Sequence, residues 1–181
     1  MPISWSQDKF IKAFNFAAEA HKGQYLPGSK ISYMVHVSLV CMEVMALQEI
    51  EPMDNSDLAV QCAALHDVVE DTLVSRKTIE KEFGAAVSDG VTALSKKKKS
   101  LSFKLINYLN KIKAQPKEIW IVKLADRITN LQPPPSTWTK EKAAKYLEKS
   151  RIILDELKDE SAYLADRLEK KIADYEKFIM K

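Results

Sequence analysis

The segment His66–Asp71 places one imidazole and three carboxylates within six residues. On a helix, residues three and four positions apart share a face, which brings His66 near Glu70. The same spacing brings Asp67 near both Glu70 and Asp71. Carboxylates this close repel one another, and a divalent cation relieves the repulsion. The segment therefore predicts two metal ligands followed by two carboxylates that handle water, and the competing interpretation is a solvated acidic helix end.

Two further residues can complete a metal site. His36 lies among apolar neighbours in a predicted helix, where a lone histidine is more often a hydrogen-bonded core residue than a ligand. Asp126 lies in an apolar helical segment and is costly to bury unless Lys123, Arg127 or a metal compensates its charge. An ion pair with Arg127 is the structural alternative, and the sequence supports both equally. With the His-Asp pair, these residues form a two-nitrogen, two-oxygen set suited to Mn²⁺, Fe²⁺ or Zn²⁺ with open positions for water and substrate.

The composition favours a helical protein that handles a small anion. The chain has 181 residues, of which 46% are hydrophobic and only 4 are glycine. Its net charge of +3 and pI near 8.7 suit an anionic small molecule and are too weakly basic to indicate nucleic acid. It has no basic-then-apolar leader and no apolar run long enough to cross a bilayer. Cys41 and Cys62 lie in apolar helical patterns and are expected to be buried and reduced, so we expect a soluble, cytoplasmic protein without membrane partners.

Helices must position the candidate ligands, because apolar residues recur at helical spacing along most of the chain. Ser6, Ser75, Ser100 and Thr139 provide N-cap chemistry for four of the predicted helices. We expect the helix that carries the His-Asp pair to run without interruption over residues 57–70. The pattern contains no internal repeat and no flexible linker, which indicates one all-helical domain.

With these residues the chain resembles a known family, the HD phosphohydrolase superfamily, whose ligand pattern is His…His-Asp…Asp. More particularly, it is similar to the hydrolase domain of RelA/SpoT proteins and, in length and order, to the stand-alone small alarmone hydrolases. The resemblance covers roughly residues 5–155. Five phrases carry it: Ala20-His21-Lys22-Gly23-Gln24, Tyr33-Met34-Val35-His36, His66-Asp67-Val68-Val69-Glu70-Asp71-Thr72, Phe83-Gly84 and Lys123-Leu124-Ala125-Asp126-Arg127-Ile128-Thr129-Asn130-Leu131.

The resemblance implies an all-α, HD-domain-like bundle of about eight to ten helices. It also implies hydrolysis of the 3′-diphosphate of (p)ppGpp, which yields GDP or GTP and pyrophosphate. Glu70 and Asp71 match the family's pair that positions and deprotonates the attacking water. One Mn²⁺ would be held by His36, His66, Asp67 and Asp126. We expect a single HD-type domain over residues 1–181, with its core at roughly 5–155 and a C-terminal helix at 159–180 packing on it.

The resemblance also indicates substrate-binding residues. Asn130 matches the family's substrate-contacting asparagine, and Arg127 lies in the same phrase. Lys142 and Tyr146, at i,i+4 spacing, resemble a basic-plus-tyrosine pair that faces the nucleotide in the small hydrolases. The alternative for that pair is an exposed helix face.

The recognition loop departs from the family. Where the family usually shows a basic pair after the glutamine, this chain has Tyr25-Leu26. Tyr25 can still stack on a purine, and Lys22 or Lys30 can supply charge. The run Lys96–Lys99 is interpreted as a solvated loop, with a phosphate-attracting rim as the alternative.

Three functions remain open from the sequence. The first is a metal-dependent (p)ppGpp 3′-pyrophosphohydrolase. The second is a metal-dependent phosphatase acting on another nucleotide, such as the 2′-phosphate of NADPH or a 5′-nucleotide, which the Tyr25-Leu26 loop motivates. The third is a regulatory module that binds nucleotide without turnover, against which the Glu70-Asp71 pair argues. All three take a small-molecule nucleotide, and a homo-oligomer is compatible with each.

Overall fold

The computed structural model describes residues 5–96, 105–135 and 137–180. Within these ranges the regular structure is helical, apart from one isolated antiparallel bridge between Tyr25 and Ser32. The expected all-α fold is therefore confirmed. The described α-helices are α1 (Gln7–Ala20), α2 (Met34–Gln48), α3 (Ser56–Leu65), α4 (Val68–Asp71), α5 (Arg76–Phe83), α6 (Ala85–Leu94), α7 (Leu105–Lys113), α8 (Lys117–Asn130), α9 (Lys140–Leu157) and α10 (Ala162–Met180).

Side chains cap several of these helices at their N-termini. Ser6, Ser75 and Thr139 each accept a hydrogen bond from the backbone N–H three residues later. Asn55 caps α3 in the same way, by accepting from the Leu58 N–H at 3.0 Å. These bonds satisfy amide groups that have no partner within the helix. The predicted cap at Ser100 lies outside the described residues.

The helix expected over residues 57–70 is interrupted. Helix α3 ends at Leu65 and α4 begins at Val68, so His66 and Asp67 lie in the turn between them. His66 Nδ1 contacts the Ala63 carbonyl oxygen at 2.8 Å. In a continuous helix that oxygen would accept the Asp67 N–H, so the imidazole competes with the backbone for it. The break turns two consecutive side chains toward the same point.

Three packed segments bring the candidate ligands together. Helix α3 lies at the centre and packs against α1, α2, α6 and α8. Helix α8 is buried over most of its length, and α2 packs against both α3 and α8. Helix α10 covers α8 and α9, and its Arg167 donates to the buried carboxylate of Glu43 on α2. In the described part of the chain, no helix combines the length and apolar character needed to span a bilayer.

Helix α6 approaches α3 and α8 closely at Gly90. A Cβ at this position would lie 2.5 Å from Ile119 Cδ1 and 2.9 Å from Cys62 Sγ. Both neighbouring side chains are fully buried, so neither can move into solvent. The absence of a side chain therefore sets the spacing of these three helices.

We expect Gly90→Ala to lower the free energy of unfolding by about 1–2 kcal/mol, because overpacking outweighs the better helix propensity of alanine. Urea denaturation measures the change. Ala86→Leu enlarges an exposed side chain on the same helix and is expected to stay within about 0.5 kcal/mol of the wild type. A Gly90→Ala variant as stable as the wild type would show that the helices separate without cost.

Candidate active site

Four side chains from three segments converge on one point. His36 comes from α2, His66 and Asp67 from the turn between α3 and α4, and Asp126 from α8. One ligand atom from each lies within 4.8 Å of all the others. The two Nε2 atoms of His36 and His66 are 3.1 Å apart, and Asp67 Oδ2 lies 2.9 Å from His66 Nε2. Asp126 Oδ1 lies 3.5 Å from His36 Nε2. All four side chains are buried or half-buried, so bulk solvent screens their charges only weakly.

The partners of the outer imidazole nitrogens fix how the histidines face the cluster. His66 Nδ1 donates to the Ala63 carbonyl oxygen. His36 Nδ1 lies 3.4 Å from Thr129 Oγ1, whose own proton is donated to the Asp126 carbonyl oxygen. With both Nδ1 atoms acting as donors, each neutral ring presents a lone pair at Nε2. Two lone pairs and two carboxylates that face one another require a cation between them, so the donor set fits a divalent metal.

Asp126 is compensated by Lys123 rather than by Arg127. Lys123 Nζ donates to Asp126 Oδ2 at 2.6 Å, and Lys123 is 2% exposed. The alternative ion pair with Arg127 is absent from the described contacts, because adjacent helical residues point about 100° apart. Asn130 Nδ2 donates to Asp126 Oδ1 at 2.5 Å. Asn130, predicted to contact substrate, thus also holds a candidate metal ligand.

Mutual electrostatics shift every group in the cluster. Burial lowers the pKa of His36, but Asp126 and Asp67 outweigh it and raise that pKa to about 9. The pKa of His66 is also raised, because Asp67 outweighs the effect of burial. Burial opposes the ionised carboxylates, yet the neighbouring cations and imidazoles hold the pKa of Asp67 and Asp126 well below their ordinary range. In the metal-free protein, protons on the imidazoles therefore balance the carboxylates.

The two predicted catalytic carboxylates follow the His-Asp pair by one helical turn. Glu70 is half-buried, and its Oε2 accepts the Lys96 backbone N–H at 2.7 Å. Burial raises the pKa of Glu70, and Asp67 and Asp71 add to the rise while Lys96 opposes it. A carboxylate with a raised pKa is a better proton acceptor. Asp71 lines a neighbouring cavity of about 700 Å³, together with Lys22.

The predicted nucleotide-facing residues lie in two cavities and on one loop. Lys22 contributes to the cavity beside Asp71, and Tyr25 is 56% exposed on the adjoining loop. Lys142 and Tyr146 line a cavity of about 380 Å³ on α9. Trp138 belongs to the same cavity: its ring lies 4.4 Å from Lys142 Nζ and 5.2 Å from the Tyr146 ring. Trp138, which was not among the residues predicted to bind the nucleotide, is therefore part of this surface.

Arg127 is buried against the Tyr146 ring. It is 5% exposed, and its guanidinium lies 4.4 Å from the centre of the Tyr146 ring. Its Nε and Nη1 are buried without a hydrogen-bond partner among the described residues. The prediction that Arg127 binds substrate directly is not favoured by this position, because Tyr146 covers it. The buried Arg127 guanidinium instead packs against the Tyr146 ring.

Sequence reasoning missed two residues that contact the cluster. Tyr33 Oη donates to Asp67 Oδ2 at 2.5 Å, and Thr129 lies between His36 and the Asp126 backbone. Each is three residues from a candidate ligand along the chain, which places it on nearly the same side of the backbone. That spacing is a weak signal, because it does not distinguish a supporting residue from an ordinary neighbour.

Comparison with known proteins agrees with this geometry. The sequence matches the HD domain family over residues 13–153. The chain belongs to the HD domain family. It is 28% identical over 168 residues to a Drosophila melanogaster protein named guanosine-3′,5′-bis(diphosphate) 3′-pyrophosphohydrolase MESH1, which covers 89% of this chain and 91% of that protein. The zebrafish (Danio rerio) protein of the same name is 26% identical, with 88% and 89% covered.

One further relative is much longer than this HD domain protein, whereas one solved structure matches it over nearly the whole of both chains. The Haemophilus influenzae guanosine-3′,5′-bis(diphosphate) 3′-pyrophosphohydrolase is 34% identical over 124 residues, which are 64% of this chain but 17% of that protein. The structure is that of a metazoan SpoT ortholog that hydrolyses ppGpp. It matches with a TM-score of 0.81 and 25% identity, covering 94% of this chain and 97% of the other.

The imidazole charges predict that metal binding releases a proton. At pH 8 a group with a pKa near 9 is about nine-tenths protonated, whereas an ordinary histidine is almost entirely neutral. We expect Mn²⁺ binding at pH 8 to release at least one proton per ion, because the metal displaces protons from the imidazoles, both of which have a raised pKa. Calorimetric titrations in buffers of different ionisation enthalpy measure the number. A binding heat that is the same in every buffer would contradict a protonated cluster.

Proposed function

We propose that this chain is a metal-dependent hydrolase that cleaves the 3′-diphosphate of (p)ppGpp, giving GDP or GTP and pyrophosphate. The observation that carries the proposal is the convergence of two imidazoles and two carboxylates on one point. Two of these residues, His66 and Asp67, precede the Glu70-Asp71 pair by one helical turn. The named activity of relatives that match this chain over most of their length supports the same substrate. We further propose that the whole chain acts as one HD-type unit, with α10 packed on its core.

The metal would be held by His36, His66, Asp67 and Asp126. Two imidazole nitrogens and two carboxylate oxygens suit Mn²⁺, which is our first choice, and also Fe²⁺ or Zn²⁺. When bound there, a divalent ion lowers the pKa of water and neutralises charge on the phosphoryl oxygens. Lys123 keeps one oxygen of Asp126 engaged, so the other is directed toward the imidazoles.

Glu70 is assigned as the general base. One of its oxygens accepts a hydrogen bond from the Lys96 N–H, which restricts the orientation of the carboxylate. Glu70 lies on α4, the helix that directly follows His66 and Asp67. Its raised pKa strengthens its affinity for the proton of the attacking water. Asp71, the adjacent carboxylate, orients that water from the neighbouring cavity. The pair accepts the proton of the attacking water, whose oxygen bonds to the phosphorus attached to the ribose 3′-oxygen. The bond between that phosphorus and the 3′-oxygen breaks, and the 3′-oxygen takes up a proton, so that GDP or GTP with a free 3′-hydroxyl is released together with pyrophosphate.

Nucleotide recognition is assigned to residues of the two cavities and of the loop that begins at Gln24. Lys22 and Lys142 supply positive charge for phosphate groups, and Tyr25 and Tyr146 offer aromatic faces for a base. Asn130 is assigned to a substrate oxygen as well as to Asp126. Arg127 acts indirectly, because it holds the Tyr146 ring from the buried side.

Product identification from a nucleotide panel tests the proposal. Purified protein loaded with Mn²⁺ is incubated with ppGpp, NADPH and 5′-nucleotides. Pyrophosphate and GDP from ppGpp support the proposed reaction. Orthophosphate from NADPH or a 5′-nucleotide, without pyrophosphate from ppGpp, would replace it with the phosphatase alternative that the Tyr25-Leu26 loop motivates. Binding of nucleotide without any product would indicate a regulatory module.

Glu70→Gln is expected to lower kcat by at least about 100-fold, because it removes the proton acceptor. Metal content, measured by atomic emission, should stay near the wild-type value because Glu70 is not one of the four assigned ligands. Glu80→Gln is the matched control, since Glu80 is exposed on α5 and away from the cluster. Unimpaired turnover in Glu70→Gln would remove this residue from the mechanism.

Lys142→Ala is expected to raise KM for ppGpp by about 10-fold with little change in kcat, because it removes a charge that binds the nucleotide in ground and transition states alike. Steady-state kinetics separate the two parameters. Lys140→Ala removes an exposed lysine from the same helix, outside the cavity, and serves as the control. Equal effects of the two substitutions would mean that only the overall charge matters.

A further inference from the structure

Tyr33 contacts the cluster at the oxygen where three groups meet. Its phenol donates to Asp67 Oδ2 at 2.5 Å. The same oxygen lies 2.9 Å from His66 Nε2 and 3.6 Å from His36 Nε2. A tyrosine phenol is protonated at neutral pH, since its ordinary pKa is about 10, and it therefore acts as a donor here. The bond leaves that oxygen a second lone pair, which is directed to the imidazoles.

The Tyr33 ring packs against two histidine rings. Its centroid lies 4.9 Å from that of His21 and 5.3 Å from that of His36. The Tyr33 backbone N–H donates to the Gln24 carbonyl oxygen at 3.0 Å, and the Gln24 side chain contacts His21 Nδ1 at 2.8 Å. Tyr33 is thus fixed at its backbone by the start of the loop and at its phenol by a carboxylate of the cluster.

This arrangement restricts a carboxylate that the backbone alone does not fix. Asp67 lies in the turn between α3 and α4, and its side chain makes no capping hydrogen bond at the start of α4. A carboxylate without a fixed donor rotates among several orientations, and ordering it costs free energy when an ion binds. Hydrogen bonds to ligating carboxylates remove that cost, and losing such a bond typically weakens metal affinity about 10- to 100-fold.

We propose that Tyr33 is a positioning residue that orients Asp67 for the metal and couples the loop Gln24–Tyr33 to metal occupancy. The inference rests on the metal centre of the proposed function. Because Tyr33 is bonded to both the loop and the cluster, an ion that immobilises Asp67 also restrains the loop. Linkage is reciprocal, so a loop restrained by substrate strengthens metal binding by the same factor.

Tyr33→Phe removes the phenol oxygen and keeps the ring that packs against the two histidines. We expect its Mn²⁺ dissociation constant, measured by electron paramagnetic resonance of the free ion, to rise about 10-fold or more. Tyr163→Phe is the control, because Tyr163 lies on α10 beside Arg167 and away from the cluster. Its dissociation constant should equal that of the wild type.

Hydrogen exchange supplies a readout that a purely structural role would not change. In the wild type, Mn²⁺ should slow exchange of the Leu26 N–H, which donates to the Ile31 carbonyl oxygen across the loop, and of the Tyr33 N–H. In Tyr33→Phe saturated with Mn²⁺, this slowing should disappear although the ion is bound. Retention of the full slowing would overturn the coupling.

The outcomes separate this inference from the function on which it rests. A Tyr33→Phe dissociation constant within twofold of the wild type overturns the positioning role while leaving the metal centre intact. Asp67→Asn serves as the reference and should lose nearly all Mn²⁺ affinity. If Asp67→Asn binds Mn²⁺ as the wild type does, the metal centre itself is wrong, and the proposed function fails with it.

Discussion

The structure depends on holding four electron-rich side chains, two histidines and two aspartates, close together. Two imidazole lone pairs and two carboxylates face one another within 4.8 Å in a buried space, where little water screens their repulsion. Such a cluster is stable only with positive charge at its centre. Protons on the imidazoles can supply that charge, as the raised pKa of His36 indicates, and a divalent ion supplies it more completely. The chemistry proposed for the protein follows from the same requirement.

The helical scaffold meets this requirement with partners outside the cluster. Lys123 neutralises one oxygen of Asp126, and the Ala63 and Thr129 oxygens accept the outer protons of the imidazoles. Tyr33 holds Asp67. Each ligand therefore has a partner that aims it, which is how proteins lower the cost of preorganising a metal site. The close approach of α6 at Gly90 belongs to the same packing, since it fixes α3 against α8.

The sequence was sufficient to predict which four side chains converge, because residue type and helical register limit which side chains can meet. It predicted the helices through caps and apolar spacing for the same reason. It could not predict the break at His66, which depends on a side chain competing for the Ala63 carbonyl. It did not predict the burial of Arg127, which depends on how α9 packs over α8. Local pattern determines which groups are available, and tertiary packing determines which of them reach a substrate.

Diffraction at the manganese absorption edge from crystals grown with Mn²⁺ tests the central claim most directly. The account predicts a single anomalous peak bonded to Nε2 of both histidines and to one carboxylate oxygen from each aspartate of the cluster. A peak elsewhere, or a peak at the His66-Asp67 turn from which His36 or Asp126 points away, would contradict it. In that case the hydrolase assignment would lose its physical basis, whatever the similarity to other HD domain proteins.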